Sequence, residues 1–326
     1  MNDGAAPSAP VPVVLVAGGL GAGKTSLINA LLRTDHGMAL AVVVNDFGAI
    51  NIDEAILSAT GLPVYGLKNG CICCSLQGDL LRTLRLLLSV GRPLDGILIE
   101  ASGVSDPRGI LEALCDPVLR ASVRLDAVVG VVDAQAHDAA DDLWRAQVRA
   151  ADMVVLSKTG AADADGLARL HETLASMGKA LVVTADAAGG VPPDMLFGGR
   201  IRRPAAEDAT GGAPIRDESF LRLEWTSPAP LLLPRFQAAI EALAPQLARA
   251  KGFLAFVERP GDAFLFQMVG RRASLEPVRR PVPGAELVLI GPRMQFDPAR
   301  AAAVLDAVRA AGGGDPQGSR HGNKHG

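Results

Sequence analysis

The sequence predicts an α/β fold in which a mostly parallel, doubly wound sheet precedes a small α+β domain. In the first part of the chain, short apolar runs rich in β-branched residues alternate with segments of helical period, which is typical of a parallel sheet covered by helices. Residues 198–216 are rich in Gly, Pro and charge and have neither periodicity, so they predict a linker. Strand patterns then follow one another closely, which indicates a mostly antiparallel second sheet.

Each strand of the first sheet is predicted by an apolar run, because a parallel strand is buried on both faces. These runs cover residues 11–17, 40–44, 96–100, 127–132, 153–157 and 180–184. Helical period predicts helices at residues 24–32, 76–88 and 142–150. In a sheet of this kind, ligands bind beyond the carboxyl ends of the strands.

The second domain has predicted strands at residues 220–225, 252–258, 263–269 and 286–290, and predicted helices at residues 232–243 and 298–310. We therefore expect a first domain at residues 11–197, a linker at residues 198–216 and a second domain at residues 217–311. Residues 1–10, which are rich in Ala and Pro, and the Gly-rich tail at residues 312–326 are expected to be disordered.

The composition excludes several classes of partner. The chain has 326 residues, of which 49% are hydrophobic, and its formal net charge is −3. A near-neutral chain lacks the basic surface that neutralises a phosphate backbone, so no nucleic-acid partner is expected. No apolar run approaches the ~18–20 residues that span a bilayer, and the N-terminus lacks the pattern of a signal peptide. We expect a cytoplasmic protein without a membrane partner.

The first predicted strand leads into the segment GGLGAGKTS at residues 18–26, which contains a complete G-x-x-x-x-G-K-[ST] motif between a strand and a helix. Such a loop surrounds phosphate oxygens with backbone N–H groups, and the helix that follows adds its positive N-terminus. Lys24 is expected to reach the β- and γ-phosphates, and the Thr25 hydroxyl to complete a Mg²⁺ shell. The loop residues expected to contact the nucleotide are Gly18, Gly19, Gly21, Ala22 and Gly23.

Two acidic residues and one glycine follow predicted strands at the same edge of the sheet. Glu100 ends the strand GILIE, a position at which proteins with this loop hold Mg²⁺ or its water. Gly103 comes shortly after it, and its N–H is expected to contact the γ-phosphate. Asp46 lies on the loop after the second strand, a position suited to a switch that responds to the nucleotide. A helix cap or a solvent-exposed loop acid remains the alternative for each carboxylate.

Three of the four cysteines, Cys71, Cys73 and Cys74, lie together in the segment NGCICC. Crowded cysteines predict a metal or redox site rather than a disulfide framework. Thiolates are soft ligands that suit Zn²⁺, Co²⁺ or Cu⁺, and three of them leave a tetrahedral ion one exchangeable position, which suits metal delivery. Buried apolar thiols and a redox pair without metal are the alternatives. The fourth cysteine, Cys115, is expected to be buried.

Five segments together resemble the CobW-type GTPases, metallochaperone relatives of the nickel-insertion GTPases that serve urease and hydrogenase. They are GGLGAGKTS, NDFGAINID, NGCICC, EASGVSDP and KGFLAFVERPGDAFLFQMVG, and the resemblance extends from about residue 11 to residue 310. It implies a P-loop NTPase domain that binds Mg²⁺ and GTP, hydrolyses GTP slowly, and holds Zn²⁺ or Co²⁺ at the cysteines. It further implies that the nucleotide state controls release of the metal to a client metalloprotein.

The resemblance also assigns roles by position. It adds Ser26 to the residues that bind the phosphates, and it assigns hydrolysis to Lys24, Thr25 and Glu100. The metal positions that it implies are Cys71, Cys73 and Cys74 for Zn²⁺ or Co²⁺, and Thr25, Asp46 and Glu100 for Mg²⁺ or the surroundings of the metal.

The base-reading motif of the family is Asn-Lys-x-Asp, or a Ser/Thr variant at its first place, and this chain has SKTG at residues 157–160. Ser157 and Lys158 are expected at the base, but the carboxylate that accepts hydrogen bonds from guanine is missing. Losing such an acceptor costs ~1.5–3 kcal/mol, or roughly 10- to 150-fold in discrimination. GTP remains the expected nucleotide, with ATP or relaxed specificity as alternatives, and Asp163 or Asp165 is the candidate replacement for the carboxylate.

Two other functions remain open. A small-molecule kinase with structural zinc would need an acceptor pocket with a base and a lid that carries arginines. A non-catalytic scaffold that matures a metal hydrolase such as nitrile hydratase would bind its client whether or not nucleotide is hydrolysed. The expected partners are a client metalloprotein and the nucleotide, and a homodimer is a further open alternative.

Overall fold

The structure is a computed structural model, and it describes residues 10–34, 37–44, 64–66, 76–89, 93–185, 191–198, 220–278 and 281–309. These residues form two sheets, one of seven strands and one of five. The segments predicted to be disordered or to form the linker, at residues 1–9, 199–216 and 312–326, lie outside the described residues.

The first sheet has seven strands, and every neighbouring pair in it is parallel. They are β1 (Val11–Gly18), β2 (Leu40–Val44), β3 (Val64–Gly66), β4 (Gly96–Glu100), β5 (Val123–Asp133), β6 (Met153–Ser157) and β7 (Val182–Thr184). Their order across the sheet is β3-β2-β4-β1-β5-β6-β7. Because all strands run the same way, the carboxyl ends of β1, β3, β4, β5 and β6 lie at one edge of the sheet.

Helices cover both faces of this sheet. Those described in this part of the chain are α1 (Lys24–Arg33), α2 (Leu76–Ser89), α3 (Arg108–Leu114), α4 (Pro117–Arg120), α5 (Asp142–Ala150), α6 (Ala164–Ser176) and α7 (Pro193–Phe197). Leu27 of α1 shares an apolar cluster with Val14 of β1, whereas Leu84 of α2 shares a different cluster with Leu15. Adjacent residues of β1 therefore pack on opposite faces, and the predicted doubly wound, parallel fold class is confirmed.

The second sheet is antiparallel. Its strands are β8 (Phe220–Ser227), β9 (Arg249–Ala255), β10 (Ala263–Val269), β11 (Arg272–Val278) and β12 (Ala285–Pro292), in the order β11-β10-β9-β12-β8. Two helices, α8 (Leu233–Leu243) and α9 (Pro298–Asp306), pack in one apolar cluster with this sheet. In that cluster the ring of Phe236 meets the ring of Phe266 edge to face, with 5.1 Å between their centroids. The predicted small α+β domain is confirmed.

An apolar seam joins the two sheets. Val288 and Ile290 of β12 belong to the same buried cluster as Val129 of β5 and Phe197 of α7. The ring of Phe197 also lies so close to Gly96 that a Cβ there would be 2.8 Å from its Cδ1. The two sheets therefore share part of one core, which couples their stability.

Buried charges lie within this seam. The guanidinium of Arg249 in β9 forms an ion pair with Asp126 of β5, and it donates a second hydrogen bond of 2.6 Å to the carbonyl of Leu196. Burial raises the pKa of Asp126, but the charges of Arg249, Lys251 and Arg124 outweigh this effect and hold the pKa below its ordinary value. A buried ion pair of this kind is stable only while both partners are present.

Two further basic residues, Arg272 and Lys251, extend the charged part of the seam. Arg272 of β11 makes a bidentate contact with the carboxylate of Asp152, at 2.8 and 2.7 Å. Lys251 of β9 donates to the carbonyl of Phe197 at 2.9 Å. Burial lowers the pKa of Lys251 from 10.5 to about 8.

The structure corrects the predicted bounds of two strands for one shared reason. β5 begins at Val123 rather than at residue 127, and β9 spans Arg249–Ala255 rather than residues 252–258. Arg124 and Asp126 in β5, like Lys251 in β9, interrupt the apolar pattern although they lie inside strands. Their charges are paired at the seam, which the pattern of a single segment cannot indicate.

Two strands were not predicted from the sequence, and the end of one helix was predicted wrongly. β3 has only three residues, and β11 is an edge strand whose residues are mostly exposed, so neither has an apolar run. The last helix ends at Asp306 rather than at residue 310, and Arg309 instead forms an antiparallel bridge with Leu231. None of the helices in the described part of the chain has the length and apolar character needed to cross a lipid bilayer.

Candidate functional site

The loop between β1 and α1 has the geometry of a phosphate-binding loop. Gly23 adopts φ 95°, a left-handed conformation that suits glycine, and it precedes the first residue of α1. Lys24 is buried, and its Nζ donates to the carbonyls of Gly18 and Gly19, at 3.0 Å each. The lysine therefore holds its charge over the loop, where a polyphosphate would bring oxygens of opposite charge.

Thr25 and Glu100 come together from two neighbouring strands. β1 and β4 are paired, with Val16 opposite Glu100, so the strands end beside each other and α1 starts at the same edge. The Thr25 hydroxyl donates to Glu100 Oε1 at 2.7 Å. Glu100 is 5% exposed. A hydroxyl and a carboxylate are oxygen ligands of the kind that Mg²⁺ prefers, so this pair fits a Mg²⁺ ion at a bound polyphosphate.

A cavity of about 280 Å³ lies over the loop. Its walls come from the loop, from α1, from the end of β2 and from the residues after β4. The lining residues are Leu20, Gly21, Gly23, Lys24, Thr25, Ser26, Val44, Glu100, Ala101, Ser102 and Gly103. Most residues that the sequence assigned to phosphate and Mg²⁺ therefore surround one opening.

The segment that follows β4 lies directly against the phosphate-binding loop. A Cβ on Gly103 would lie 2.7 Å from both Cα and N of Leu20, so only glycine allows this approach. Ser102 is buried, and its carbonyl accepts hydrogen bonds from the backbone N–H of Ser105 at 3.2 Å and from its hydroxyl at 3.0 Å. Residues 102–105 thus form a tight turn at the edge of the cavity.

Ser157 ties the end of β6 to the phosphate-binding loop. Its hydroxyl donates to the carbonyl of Ala22 at 2.6 Å, and Gly23 lies beside it, where an added Cβ would be 3.6 Å from the Ser157 Cβ. The segment predicted to read the base therefore contacts the loop predicted to hold the phosphates. Ser157 and Lys158 do not line the cavity described above.

Lys158 makes an ion pair that the sequence analysis missed. Its Nζ donates to Asp133 Oδ2 at 2.6 Å, at the carboxyl end of β5. Burial raises the pKa of Asp133, but the bond from Lys158 and backbone bonds from Gln135 and Ala136 outweigh it and hold the pKa below its ordinary value. Lys158 also has φ 56°, which is unusual for a residue with a side chain and costs about 1–2 kcal/mol.

Space for a side chain is open at the place where the base-reading carboxylate is missing. Gly160 has no heavy atom within 4 Å of a Cβ built on it. Asp163, a candidate replacement, caps α6 by accepting a hydrogen bond of 2.6 Å from the backbone N–H of Gly166. Asp165, the other candidate, is exposed in the first turn of α6.

The predicted metal ligands Cys71, Cys73 and Cys74, together with Asp46, lie outside the described residues. In the described part of the chain, no three His, Cys, Asp or Glu side chains are grouped so that they could hold a metal ion. The structure corrects the expectation for Cys115, which is exposed at the C-terminal end of α3.

Two polar residues of this region were missed by sequence reasoning. Asp133 follows an apolar run, as Glu100 does, and that position alone could have indicated it. Gln147 is 2% exposed, and its Nε2 donates to the carbonyls of Gly103 and Ser105, at 3.3 Å each. Nothing in the sequence distinguishes Gln147 from a surface glutamine of an amphipathic helix.

Comparisons with known proteins agree with this arrangement. Residues 12–184 match the family model described as CobW/HypB/UreG, nucleotide-binding domain, and residues 221–309 match the cobalamin synthesis protein cobW C-terminal domain. The chain is 33% identical over 225 residues to "Zinc chaperone CobW" of Pseudomonas aeruginosa, over 58% of this chain and 60% of that protein. It is 35% identical over 202 residues to "Zinc chaperone YjiA" of Escherichia coli, over 58% of this chain and 61% of that protein.

The chain thus spans about 60% of the length of these relatives. The crystal structure of Zn(II)-bound YjiA GTPase from E. coli is 25% identical in sequence, and the match covers 92% of this chain and 99% of that chain with a TM-score of 0.44. The fold follows from the strand order of the two sheets and agrees with the two family matches.

Proposed function

Because this chain belongs to the CobW/HypB/UreG family and has a CobW C-terminal domain, we propose that it is a GTP-hydrolysing zinc metallochaperone. One observation carries the proposal. The Thr25 hydroxyl donates to Glu100 Oε1 at 2.7 Å, and both residues line the same cavity as Lys24. A nucleoside triphosphate with Mg²⁺ requires a lysine to contact the phosphates, and a hydroxyl and a carboxylate to hold the metal ion.

In this proposal the phosphates bind over the loop, where Lys24 and the N-terminus of α1 offset their negative charge. Thr25 and Glu100 would hold Mg²⁺, which would supply positive charge to offset that of the phosphates. Glu100 is the one acidic side chain among the described residues that line the cavity, and Thr25 already donates to it. Because the described lining offers no separate base to activate water, intrinsic hydrolysis is slow.

The base lies near Ser157 and Lys158, next to the phosphate-binding loop. Lys158 is fixed by Asp133 and by its left-handed backbone, which supports a role as a platform beside the base. Guanine has N–H donors that Gly160 cannot satisfy, and Asp163 is engaged as a helix cap. We therefore propose that GTP is bound with relaxed discrimination against other purine nucleotides.

The cargo in this proposal is Zn²⁺, held by Cys71, Cys73 and Cys74, with Co²⁺ as the alternative ion. The relatives named above as zinc chaperones support the choice of zinc. The cysteines lie between β3 and α2, and β3 ends at the same edge of the sheet as Glu100. A triphosphate at this edge, acting through Asp46 and the turn at residues 102–105, would tighten the thiolate site, and hydrolysis would release the metal to a client metalloprotein.

The division of the chain belongs to the same proposal. We place the nucleotide-binding domain at residues 11–197, a linker at residues 198–216 and a CobW C-terminal-like α+β domain at residues 217–311. The two sheets and the two family matches support this division. A homodimer is a further proposal, and a measurement of the molecular mass in solution tests it.

The cysteine assignment is tested by anaerobic Co²⁺ binding, because Co²⁺–thiolate bonds give charge-transfer absorption. Wild-type protein is compared with the triple variant Cys71→Ser, Cys73→Ser, Cys74→Ser, each with and without Mg²⁺ and GTP. The exposed Cys115→Ser variant is the matched control. The proposal expects the absorption in wild type and in the control and its loss in the triple variant, whereas unchanged absorption in the triple variant would contradict it.

The nucleotide part has a separate test. Incubation with γ-labelled GTP should release inorganic phosphate slowly and transfer no label to small metabolites. Rapid transfer of the label to a metabolite would instead support the kinase alternative.

A further inference from the structure

The turn at residues 102–105 is held between two parts of the molecule. On one side, Gly103 lies against the backbone of Leu20, so close that even a methyl group would overlap it. At the start of the turn, the backbone N–H of Ala101 donates to the carbonyl of Val16 at 2.8 Å, which extends the pairing of β4 with β1. The turn is therefore in direct contact with the phosphate-binding loop.

On the other side, a buried amide contacts the turn. Gln147 lies on α5 and is 2% exposed. Its Nε2 donates to the carbonyls of Gly103 and Ser105, at 3.3 Å each. The two carbonyls belong to the residues on either side of Val104, which is 61% exposed. The amide therefore contacts the buried side of the turn, opposite the exposed Val104.

The helix that carries Gln147 is itself firmly placed. Asp141 caps α5 by accepting hydrogen bonds from the backbone N–H groups of Leu143 and Trp144. Trp144 and Val148 on the same helix are buried in an apolar cluster. Gly130 of β5 lets the C-terminal end of the helix come close, since a Cβ there would be 2.8 Å from the Cβ of Ala151.

Burying an amide costs free energy unless its N–H groups donate hydrogen bonds. The side-chain amide of Gln147 donates to two carbonyls of the turn. An apolar side chain of similar length would fill the same space but leave two carbonyls with one partner fewer. These two bonds attach the carbonyls of Gly103 and Ser105 to α5 and so help to fix the position of the turn and of the Gly103 N–H.

We propose that Gln147 is a positioning residue that holds the turn at residues 102–105 where a terminal phosphate can engage it. The inference rests on the proposed function, because it takes a nucleoside triphosphate as the ligand of the cavity. According to this inference, α5 and the turn respond to the γ-phosphate together, because Gln147 joins them. Gln147 touches neither the phosphates nor the metal, so its role is to distinguish the triphosphate from the diphosphate state.

The test is the ratio of two affinities in the variant Gln147→Met, which keeps the length of the side chain and removes its donors. The affinity for a non-hydrolysable GTP analogue should fall about tenfold, as expected for two lost hydrogen bonds, and the affinity for GDP should change less than about threefold. Gln267→Met is the matched control, because Gln267 is also buried but lies at the seam, where Arg124 donates a hydrogen bond to its Oε1 at 3.3 Å. It should leave both affinities at wild-type values.

Equal losses for both nucleotides, or none, in Gln147→Met would overturn the inference. Wild-type protein that binds neither nucleotide would overturn the proposed function instead, so the two failures are distinct. If Gln147→Met does not fold, hydrogen exchange of the wild-type protein decides. The analogue should protect residues 101–105 and 142–150 together and more than GDP does, whereas protection of the turn with no change in α5 would contradict the inference.

Discussion

Charged side chains serve different purposes at the two ends of β5. At its carboxyl end, Asp133 pairs with Lys158, whose side chain is 48% exposed, next to the phosphate-binding loop. At its amino end, Asp126 pairs with Arg249, and their side chains are 0% and 1% exposed. The two carboxylates are about 23 Å apart along the strand. One pair is partly exposed beside the phosphate-binding loop, and the other is buried in the seam between the sheets.

This difference shows that one strand both joins the two sheets and borders the phosphate-binding loop. The pair at the seam has its charges matched by each other and by backbone carbonyls, so it contributes to the joining of the two sheets. At the other end of β5, the pair lies beside the phosphate-binding loop, and that loop lines the cavity together with Glu100. We therefore expect substitutions at the seam to change the free energy of unfolding and substitutions at the cavity to change nucleotide binding, with little overlap.

The largest effect is expected at the seam, from Arg249→Met. This variant leaves the carboxylate of Asp126 buried without its main partner, which typically costs about 3–5 kcal/mol in the free energy of unfolding. Unfolding by denaturant, followed by circular dichroism, measures it.

The double variant Arg249→Met, Asp126→Leu is the control for this prediction. Because it removes both charges, it should recover more than half of the loss. A double variant as unstable as the single one would show that packing, rather than charge, dominates the seam.

At the cavity, Lys24→Met should weaken binding of Mg²⁺ and a GTP analogue and slow hydrolysis by about 10²–10³-fold, because it removes the charge that faces the phosphates. Lys179→Met is the matched control. Lys179 also donates to two backbone carbonyls, those of Arg149 and Ala151, but away from the cavity. If Lys24→Met bound the GTP analogue as tightly as wild type does, the phosphates would not lie at Lys24.

A gain of specificity is expected from Gly160→Asp. The wild-type protein should bind GTP and ITP with similar affinity, since no carboxylate reads the 2-amino group that distinguishes them. The space at Gly160 admits a side chain, so the variant should favour GTP roughly 10- to 150-fold. Competition binding with the two nucleotides measures the ratio.

Ala161→Asp adds the same charge one residue further along and should leave the ratio near one. A wild-type preference for GTP as large as that of Gly160→Asp would mean that another residue already reads the guanine base.

The smallest effect is a pH dependence at the seam. Lys251 has a pKa of about 8 in the folded protein against an ordinary value of 10.5. Below pH 8 both the folded and the unfolded chains hold the proton, whereas between about pH 8 and pH 10.5 only the unfolded chain does. The free energy of unfolding of wild type should therefore rise with pH in this window by about 1–3 kcal/mol relative to Lys251→Met.

Denaturant unfolding of both proteins at pH 7.5 and pH 10 gives the difference, in which other titrating groups cancel. A constant difference across this range would show that Lys251 keeps its proton within the seam.

The same comparison explains what the sequence could predict. Gly23, Lys24 and Thr25 are neighbours in the chain, and the roles proposed for them follow from a local motif between a strand and a helix. Glu100 was predicted because it ends an apolar strand, and parallel strands bring such ends to one edge. At this end of the sheet, local pattern and fold class together predicted the grouping that the structure shows for the described residues.

The seam and the turn could not be predicted in this way. Arg249 lies 123 positions after its partner Asp126, and both interrupt the apolar runs that define strands. Gln147 lies 44 positions after Gly103, and a single glutamine in an amphipathic helix gives no periodic signal. Contacts between residues so far apart depend on the packed structure rather than on any segment, so the pattern placed β5 and β9 with the wrong bounds.

The central claim is that the nucleotide at one edge of the first sheet controls how tightly the chain holds zinc. Its most direct measurement is the Zn²⁺ affinity of the wild-type protein, by competition with a chelator, in the presence of Mg²⁺ with a non-hydrolysable GTP analogue and with GDP. The account predicts tighter binding with the analogue, by about 5- to 150-fold, the usual range of coupling between two sites. Equal Zn²⁺ affinity in the two nucleotide states would contradict it.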